Sequence, residues 1–304
     1  MPTHLIVGAG WIGRELARQL VARGDNVTVA TRSGTAVAGG TARMLDASDP
    51  VAFVLAAERM DTIFLCTNPP YPDWARRWPP VFAAAIAAAS VTGATLVSMG
   101  NLYPYGSPTG PMTEHSPETT TESKGLIRRA GWRRMLDAHE RGEIRAVEVR
   151  ASDYFGPGVS GTAHLGQAFF SAVLASKTAR VVGRGDLVHS WSYIPDIAAT
   201  LIAAAGYTGS WGRIWHVPSG AHSRTEIATQ LNARYTSHGV VAGYPDWMLR
   251  SLGAVSPLMR EVYRSSYQFQ VPYVIDSLET ERELGVAATA WDEALVTVAE
   301  SYRR

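Results

Sequence analysis

A glycine-rich turn near the start of the chain constrains the fold more than any other feature. The letters Gly8-Ala9-Gly10-Trp11-Ile12-Gly13 follow the apolar run Leu5–Val7 and lead into an amphipathic helical pattern. Between a strand and a helix, the first glycine permits a tight turn, the second lets the backbone approach a diphosphate, and the third allows helix and strand to pack closely. Helix amides would hold the phosphates. The motif therefore predicts a dinucleotide site that contains Gly8, Gly10, Trp11, Ile12 and Gly13.

Short apolar runs then alternate with longer amphipathic ones, which indicates βαβ units and a parallel sheet. Strands are predicted at Leu5–Val7, Val27–Ala30, Thr62–Cys66, Thr95–Ser98 and Ala146–Val149, and helices at Ile12–Ala22, Pro50–Ala57, Trp74–Ser90 and Lys124–His139. A long polar loop is expected near 105–122, and after Arg150 the pattern becomes mixed, with a further helix expected at His164–Ser176. The predicted fold class is α/β, a Rossmann-type doubly wound parallel sheet with a smaller mixed α/β substrate lobe. We expect a dinucleotide-binding domain at 1–155, with a returning segment at about 188–206, and an interleaved substrate lobe at 156–304.

The end of the second predicted strand favours NADP over NAD. A site that prefers NAD carries Asp or Glu there to bind the adenosine ribose, but the run Val29–Gly34 has no carboxylate. The Arg32 guanidinium can instead pair with a 2′-phosphate, to which the hydroxyls of Thr31 and Ser33 can donate. Asp46, after a third strand, either binds the adenine amino group or forms a turn ahead of a helix cap at Ser48/Asp49. The residues expected to contact the cofactor beyond these strands are Thr67 and Ser98.

The composition favours a small-molecule partner. The 304 residues contain 28 Lys plus Arg and 27 Asp plus Glu, so the net charge of +1 gives no global attraction to nucleic acid or to an anionic membrane. The single cysteine, Cys66, excludes an intrachain disulfide and a CxxC site. We expect a cytoplasmic protein, because the start of the chain leaves no room for a signal peptide and the longest apolar run, Val81–Ala89, is too short to span a bilayer. No metal site is expected, and the following histidines are predicted to lie on the surface or in loops: His164, His189, His216 and His222.

Three further segments carry recognisable motifs: Asn101–Gly106, Arg150–Gly158 and Ser192–Ala198. With the glycine motif, they resemble the extended short-chain dehydrogenase/reductase family, and more narrowly its NAD-dependent epimerase/dehydratase branch. This likeness covers nearly the whole chain. The resemblance implies that Arg150–Gly158 leads into the substrate lobe. It also implies that Asp196 is a structural helix N-cap, and that two copies form a homodimer through the helices that flank the fifth strand.

The sequence departs from this family at the groups that move protons. The family uses a Ser or Thr after the fifth strand and a Tyr-x-x-x-Lys pair on the next helix. Counting from Tyr103, the Ser/Thr position falls on Met99, and the stretch Thr119–Arg128 has no tyrosine. Either Lys124 occupies the lysine position with Thr120 at that of tyrosine, or Lys124 replaces the tyrosine and Arg128 the lysine; the loop length favours the second. We expect Lys124 to bind the nicotinamide ribose or to act as an acid/base whose pKa is lowered by Arg128.

Residues beyond the strand ends are candidates for the substrate side. Besides Lys124 and Arg128, the predicted catalytic residues are Asn101, Tyr103 and Tyr154, with Ser152 and Asp153 as further candidates. Aromatic residues of the second half would offer apolar surface or form ordinary core: Trp191, Trp215, Trp247, Met248, Tyr263, Tyr267 and Phe269. The sequence predicts an NADP(H)-dependent oxidoreductase acting on a small apolar or aromatic compound. A redox-neutral epimerase, dehydratase or isomerase and a non-catalytic NADP(H) sensor remain as alternatives.

Overall fold

A sheet of seven parallel strands forms the centre of the computed structural model, which describes residues 1–209 and 211–303. In chain order the strands are β1 (Thr3–Val7), β2 (Asn26–Thr31), β3 (Thr41–Met44), β4 (Thr62–Leu65), β5 (Thr95–Asn101), β6 (Ala146–Ala151), β7 (Asp153–Phe155), β8 (Thr178–Val181), β9 (His189–Tyr193), β10 (Arg213–His216), β11 (Gly220–His222) and β12 (Val240–Gly243). Across the central sheet their order is β10-β6-β5-β4-β1-β2-β3. The order reverses between β1 and β4, where ligands bind in doubly wound folds.

Helices cover both faces of this sheet. In chain order the helices of the described residues are α1 (Trp11–Ala22), α2 (Pro50–Ala57), α3 (Trp74–Thr92), α4 (Ser123–Glu140), α5 (Gln167–Leu174), α6 (Ile194–Gly206), α7 (Arg224–Tyr235), α8 (Asp246–Val255), α9 (Pro257–Arg264), α10 (Leu278–Leu284) and α11 (Trp291–Ser301). On one face α1 and α6 bury Leu16 and Leu201 in a common core. On the other face α2, α3 and α4 bury Phe53, Trp78 and Met135. The predicted Rossmann-type α/β class is confirmed.

The strands and helices predicted for the first half are present, with ends that differ by at most three residues. The predicted helix at His164–Ser176 is the shorter α5, and the loop near 105–122 is confirmed between a 3₁₀ turn, Tyr103–Tyr105, and α4. The sequence did not predict β10, which returns from the second half to pair with β6. Its four residues, Arg213–His216, are too few to show a period of their own.

The second half of the chain builds a smaller layer beside the sheet. Strands β7, β9 and β11 form one short sheet, and β8 pairs with β12. Their core contains Phe170, Leu231 and Val298. Asp196 is structural but is not the N-cap of α6, a position held by Tyr193; its carboxylate accepts hydrogen bonds from the N–H and hydroxyl of Thr289 at 2.8 and 2.6 Å.

Two of the four histidines correct the prediction that they lie on the surface or in loops. His189 is 3% exposed on β9, and its ring stacks on those of Phe269 and Tyr273. His216 is fully buried on β10, where its Nε2 lies 2.7 Å from the Tyr105 hydroxyl. Both side chains are fixed by ring stacking or hydrogen bonds, which the spacing of histidines in the sequence does not reveal.

Candidate functional site

The glycine turn has the geometry expected for a diphosphate. Gly8 has φ +114°, and its N–H donates to the Ala30 carbonyl at 2.9 Å, so the turn needs glycine there. A Cβ on Gly13 would lie 2.0 Å from the Gly8 carbonyl oxygen, which excludes any side chain. A Cβ on Gly10 would meet no protein atom within 4 Å. The protein therefore leaves space in front of Gly10, beside Trp11 and Ile12 at the start of α1, where helix amides point outward.

The tip of β2 presents a cation and hydroxyls to solvent. Thr31 Oγ1 accepts from the Thr35 N–H at 2.8 Å, and the hydroxyls of Ser33 and Thr35 lie 2.9 Å apart. Arg32 is exposed, and within the described part of the chain its guanidinium makes no hydrogen bond or ion pair. This set fits a phosphate on the 2′ position of an adenosine ribose.

Asp46 lies close to Arg32 and forms the turn that the sequence allowed. Its Oδ1 accepts from the N–H and hydroxyl of Ser48 at 3.0 and 2.7 Å, while Asp49 caps α2. These hydrogen bonds, and to a smaller extent Arg32, lower the pKa of Asp46. The carboxylate is exposed, so the turn does not preclude a hydrogen bond to adenine.

A cleft of about 190 Å³, here called the main cleft, opens at the carboxyl ends of β1, β4, β5 and β6. It brings together ten residues that the sequence singled out: Gly10, Trp11, Ile12, Thr67, Asn101, Tyr103, Arg128, Ser152, Asp153 and Tyr154. The sequence missed other lining residues, among them Tyr71, Trp74, Trp78, Gln268 and Tyr273. Tyr71 and Trp74 follow the end of β4, and ligands bind beyond the carboxyl ends of strands in this fold. Their place in the sequence could therefore have indicated them.

Tyr103 and Tyr71 place two phenols side by side in the main cleft. Their hydroxyl oxygens lie 3.0 Å apart, and the Asn101 side-chain oxygen accepts from the Tyr103 N–H at 3.2 Å. Burial raises the pKa of Tyr103 well above its usual value and that of Tyr71 to about 12. Both phenols are therefore protonated at physiological pH, and either can donate a proton or a hydrogen bond.

Arg128 is the cation of α4 that lines the main cleft. It is 2% exposed, donates to the Met99 carbonyl, lies over the Trp78 ring at 4.5 Å and is 3.6 Å from Glu148. Burial lowers the pKa of Arg128, and the nearby Glu148 opposes that shift. The Arg128 guanidinium therefore faces the main cleft from α4.

The expectation that Lys124 faces the nicotinamide ribose needs correction. Its ammonium is 1% exposed and forms ion pairs with Glu122 and Glu261, both at 2.9 Å. It also donates to the Glu261 carbonyl at 3.1 Å and lies 5.6 Å from the Tyr71 ring centre. Lys124 is absent from the lining of the main cleft, because two carboxylates hold it between α4 and α9.

Ser98 also corrects a prediction. The serine is fully buried, does not line the main cleft, and its hydroxyl has no hydrogen-bond partner among the described residues. The sequence placed the end of the fifth strand at Ser98, but β5 continues to Asn101. Three residues of strand span about 10 Å, so Ser98 lies inside the sheet and not at its edge.

Three of the aromatic residues singled out in the second half form core, which is one of the two roles predicted for them. Trp191, Trp215 and Phe269 belong to the buried cores, and Trp247 is 70% exposed. The main cleft is instead lined by aromatic residues near the ends of β4, β5 and β6 and by Tyr273.

No helix of the described residues has the length and apolar character to cross a bilayer. In 1–209 and 211–303, no three His, Cys, Asp or Glu side chains are grouped as metal ligands would be.

Comparison with known proteins gives a family and a set of similar folds. The model of the NAD dependent epimerase/dehydratase family matches residues 4–217. No curated protein matches the sequence. MoeE5 in complex with UDP-glucuronic acid and NAD is 20% identical, with a TM-score of 0.78 and 99% of each chain covered. UDP-glucose 4-epimerase from Thermotoga maritima, with UDP-glucose, is 14% identical, with a TM-score of 0.79 over 99% of this chain and 98% of that one.

A third similar structure is DesIV, a dTDP-glucose 4,6-dehydratase from Streptomyces venezuelae, crystallised as a double mutant with NAD bound. It is 18% identical, with a TM-score of 0.76 over 99% of this chain and 97% of the other. At such identities these structures show the fold. The family model, by contrast, spans well over half of the chain and includes the glycine turn, most residues of the main cleft and β10. The chain belongs to the NAD-dependent epimerase/dehydratase family.

Proposed function

We propose that this chain is an NADP(H)-dependent oxidoreductase acting on a small, apolar or aromatic carbonyl or hydroxyl compound. Residues 1–155 would bind the dinucleotide, and 156–304 would supply most of the substrate lobe. One observation carries the proposal: the protonated Tyr103 phenol lies in the main cleft beside Tyr71, in a chain whose α4 has no tyrosine. Tyr103 thus offers a proton where the usual donor is missing.

The cofactor assignment rests on two places in the first half. The turn at Gly8, Gly10 and Gly13, with Trp11 and Ile12, would hold the diphosphate. Thr31, Arg32 and Ser33 would bind the 2′-phosphate, with Asp46 toward the adenine, which favours NADP although the similar structures contain NAD. Thr67 and Arg128 would face the nicotinamide end. When bound, the nicotinamide supplies or accepts a hydride.

The proton must be supplied by side chains of the protein. In the reductive direction Tyr103 would donate its proton to the substrate oxygen, and Tyr71, 3.0 Å away, would return one to it and take its own replacement from solvent. Asn101 would direct its amide N–H groups to the same oxygen, because its side-chain oxygen is occupied by the Tyr103 N–H. Tyr154 supplies a further phenol that lines the cleft.

Two alternatives each have an observation in their favour. A redox-neutral epimerase, dehydratase or isomerase is favoured by the similar structures that contain UDP-glucose or UDP-glucuronic acid. A non-catalytic NADP(H) sensor is favoured by the ion pairs that hold Lys124 away from the main cleft.

Titration with reduced nucleotides, followed by a substrate screen, distinguishes these functions. Trp11, Trp74 and Trp78 line the main cleft, so bound NADPH should quench tryptophan emission, and NADPH should bind more tightly than NADH. The loaded protein is then mixed with aromatic ketones and enones while the absorbance of the reduced nicotinamide is followed. Oxidation of NADPH by any of them supports the proposal. If neither nucleotide binds, the proposal fails; binding without turnover indicates a sensor, and interconversion of UDP-glucose without net oxidation indicates an epimerase.

A further inference from the structure

A second cavity of about 60 Å³ adjoins the main cleft and is here called the tyrosine pocket. Four of its residues, Tyr71, Tyr103, Asp153 and Tyr154, line both cavities, and His164 and Val262 line the pocket on the lobe side. A group that enters the tyrosine pocket therefore comes next to the phenol proposed for proton transfer. The pocket is large enough for the head of a small molecule and too small for a nucleotide.

The carboxylate in this pocket is held by a buried histidine. Asp153 begins β7, which pairs in parallel with β9 so that Asp153 lies opposite Trp191. His189, two residues earlier on β9, points the same way, and its Nε2 lies 2.9 Å from Asp153 Oδ2. Stacking on Phe269 and Tyr273 fixes this imidazole, so the carboxylate is fixed as well. The described residues give the other oxygen, Oδ1, no hydrogen-bond donor.

The charge of the pocket is unfavourable to anions. Within the described part of the chain, neither Lys nor Arg lines it. Arg224 acts on Asp153 only from a distance, because its guanidinium donates to the carbonyls of Val182 and Arg184 at 2.8 and 2.9 Å. Burial lowers the pKa of His164 to about 4, so this ring is neutral at physiological pH. Asp153 therefore dominates the potential inside the pocket.

We infer that the tyrosine pocket is a substrate subsite for an uncharged head group with an O–H or N–H, which donates to Asp153, and that it rejects phosphate and carboxylate. A donor satisfies the free carboxylate oxygen, whereas a second anion would be buried beside it without a cation. Asp153 determines specificity in this arrangement, and His189 is a positioning residue. The inference rests on the proposed function for its link to Tyr103.

Calorimetry with three probes that share one ring tests this subsite on the full chain without cofactor. Phenol should bind at least tenfold more tightly than benzoate or phenyl phosphate. Asp153→Asn should reduce that ratio about tenfold, because a neutral amide oxygen accepts a weaker hydrogen bond than a carboxylate and no longer repels an anion. The matched control is Asp186→Asn, since Asp186 is an exposed carboxylate paired with Arg184, and the ratio should not change.

A pair of substitutions at His189 separates positioning from simple packing. His189→Gln keeps an N–H donor for Asp153 and should retain the preference for phenol, whereas His189→Leu should lose it. Equal binding of phenol and phenyl phosphate to the native chain overturns the inference, as does an unchanged ratio in folded Asp153→Asn. NADPH titration of the same samples distinguishes a failure of the subsite from a failure of the proposed function. NADPH binding without the phenol preference overturns only the subsite, and the preference without NADPH binding overturns only the proposed function.

Discussion

The Lys124 ammonium lies 2.9 Å from the Glu261 carboxylate, and this buried contact joins the first turn of α4 to α9 in the second half of the chain. Helix α9 also contacts the 3₁₀ turn Tyr71–Asp73, which lines the main cleft. Lys124 thus ties α4 to a helix of the second half. Replacing Lys124 should therefore change the stability of the fold more than the rate of the reaction.

Replacing Lys124 with Met should lower the free energy of unfolding by about 3 kcal/mol, because it leaves the Glu122 carboxylate without a cation and Glu261 with Arg264 alone. Urea unfolding measures the change. The other lysine of the chain, Lys177, is exposed, and Lys177→Met should change stability by less than about 0.5 kcal/mol. Equal stability of the two variants would contradict a structural role for the buried lysine.

The sequence predicted those features that depend on near neighbours. The glycine turn and the alternation of β1 to β6 with their helices depend on local spacing, and both are present in the fold. Lys124 was misplaced because its partner, Glu261, is 137 residues away and no local pattern announces it. Ser98 was misplaced because strand ends are the least certain part of such predictions, and an extension of three residues moves a side chain from the edge into the sheet.

Two glycines of the turn should respond differently to alanine. Gly13→Ala should unfold the domain or strongly destabilise it, because the new Cβ would lie 2.0 Å from the Gly8 carbonyl oxygen. Gly10→Ala should melt like the native protein, since its Cβ meets no protein atom within 4 Å, but should weaken NADPH binding at least tenfold by occupying the space of the diphosphate. Thermal melting and calorimetry measure the two effects. Native NADPH affinity in folded Gly10→Ala would argue against a diphosphate at this turn.

Arg32→Ala should weaken NADPH binding by roughly ten- to a hundredfold, which is the contribution expected of charge-assisted hydrogen bonds to a phosphate. NADH lacks the 2′-phosphate, so its affinity should change by less than about twofold, as for any site without that contact. Arg23→Ala at the far end of α1 is the control, and neither nucleotide should respond to it. If both nucleotides lose affinity equally at Arg32→Ala, the guanidinium contacts a part that they share.

Tyr103→Phe should reduce turnover of a substrate found in the screen by about 10²–10⁴-fold, the usual contribution of a positioned proton donor. NADPH affinity should be unchanged, since the substitution removes one oxygen and keeps the ring. Tyr207→Phe is a suitable control because its phenol donates to Glu283 and does not line the main cleft. Stopped-flow oxidation of bound NADPH gives the rate of the step itself. If Tyr103→Phe turns over at the native rate, the proton donor must instead be Tyr71, Tyr154 or solvent.

Acid should destabilise the fold through its buried histidines. Burial lowers the pKa of His216 to about 3, whereas an unfolded histidine titrates near 6.5. Between these values the unfolded chain binds a proton that the folded chain does not, so stability that is present above pH 6.5 is lost as the pH falls. From pH 7 to pH 5, one such group should reduce the free energy of unfolding by about 2 kcal/mol. His216→Gln should therefore show a smaller loss than the native chain in urea unfolding at the two pH values, while His238→Gln, at an exposed histidine, should show the native loss. An identical loss in His216→Gln would mean that other groups account for the acid sensitivity, and His164, whose pKa burial lowers to about 4, would be the next residue to replace.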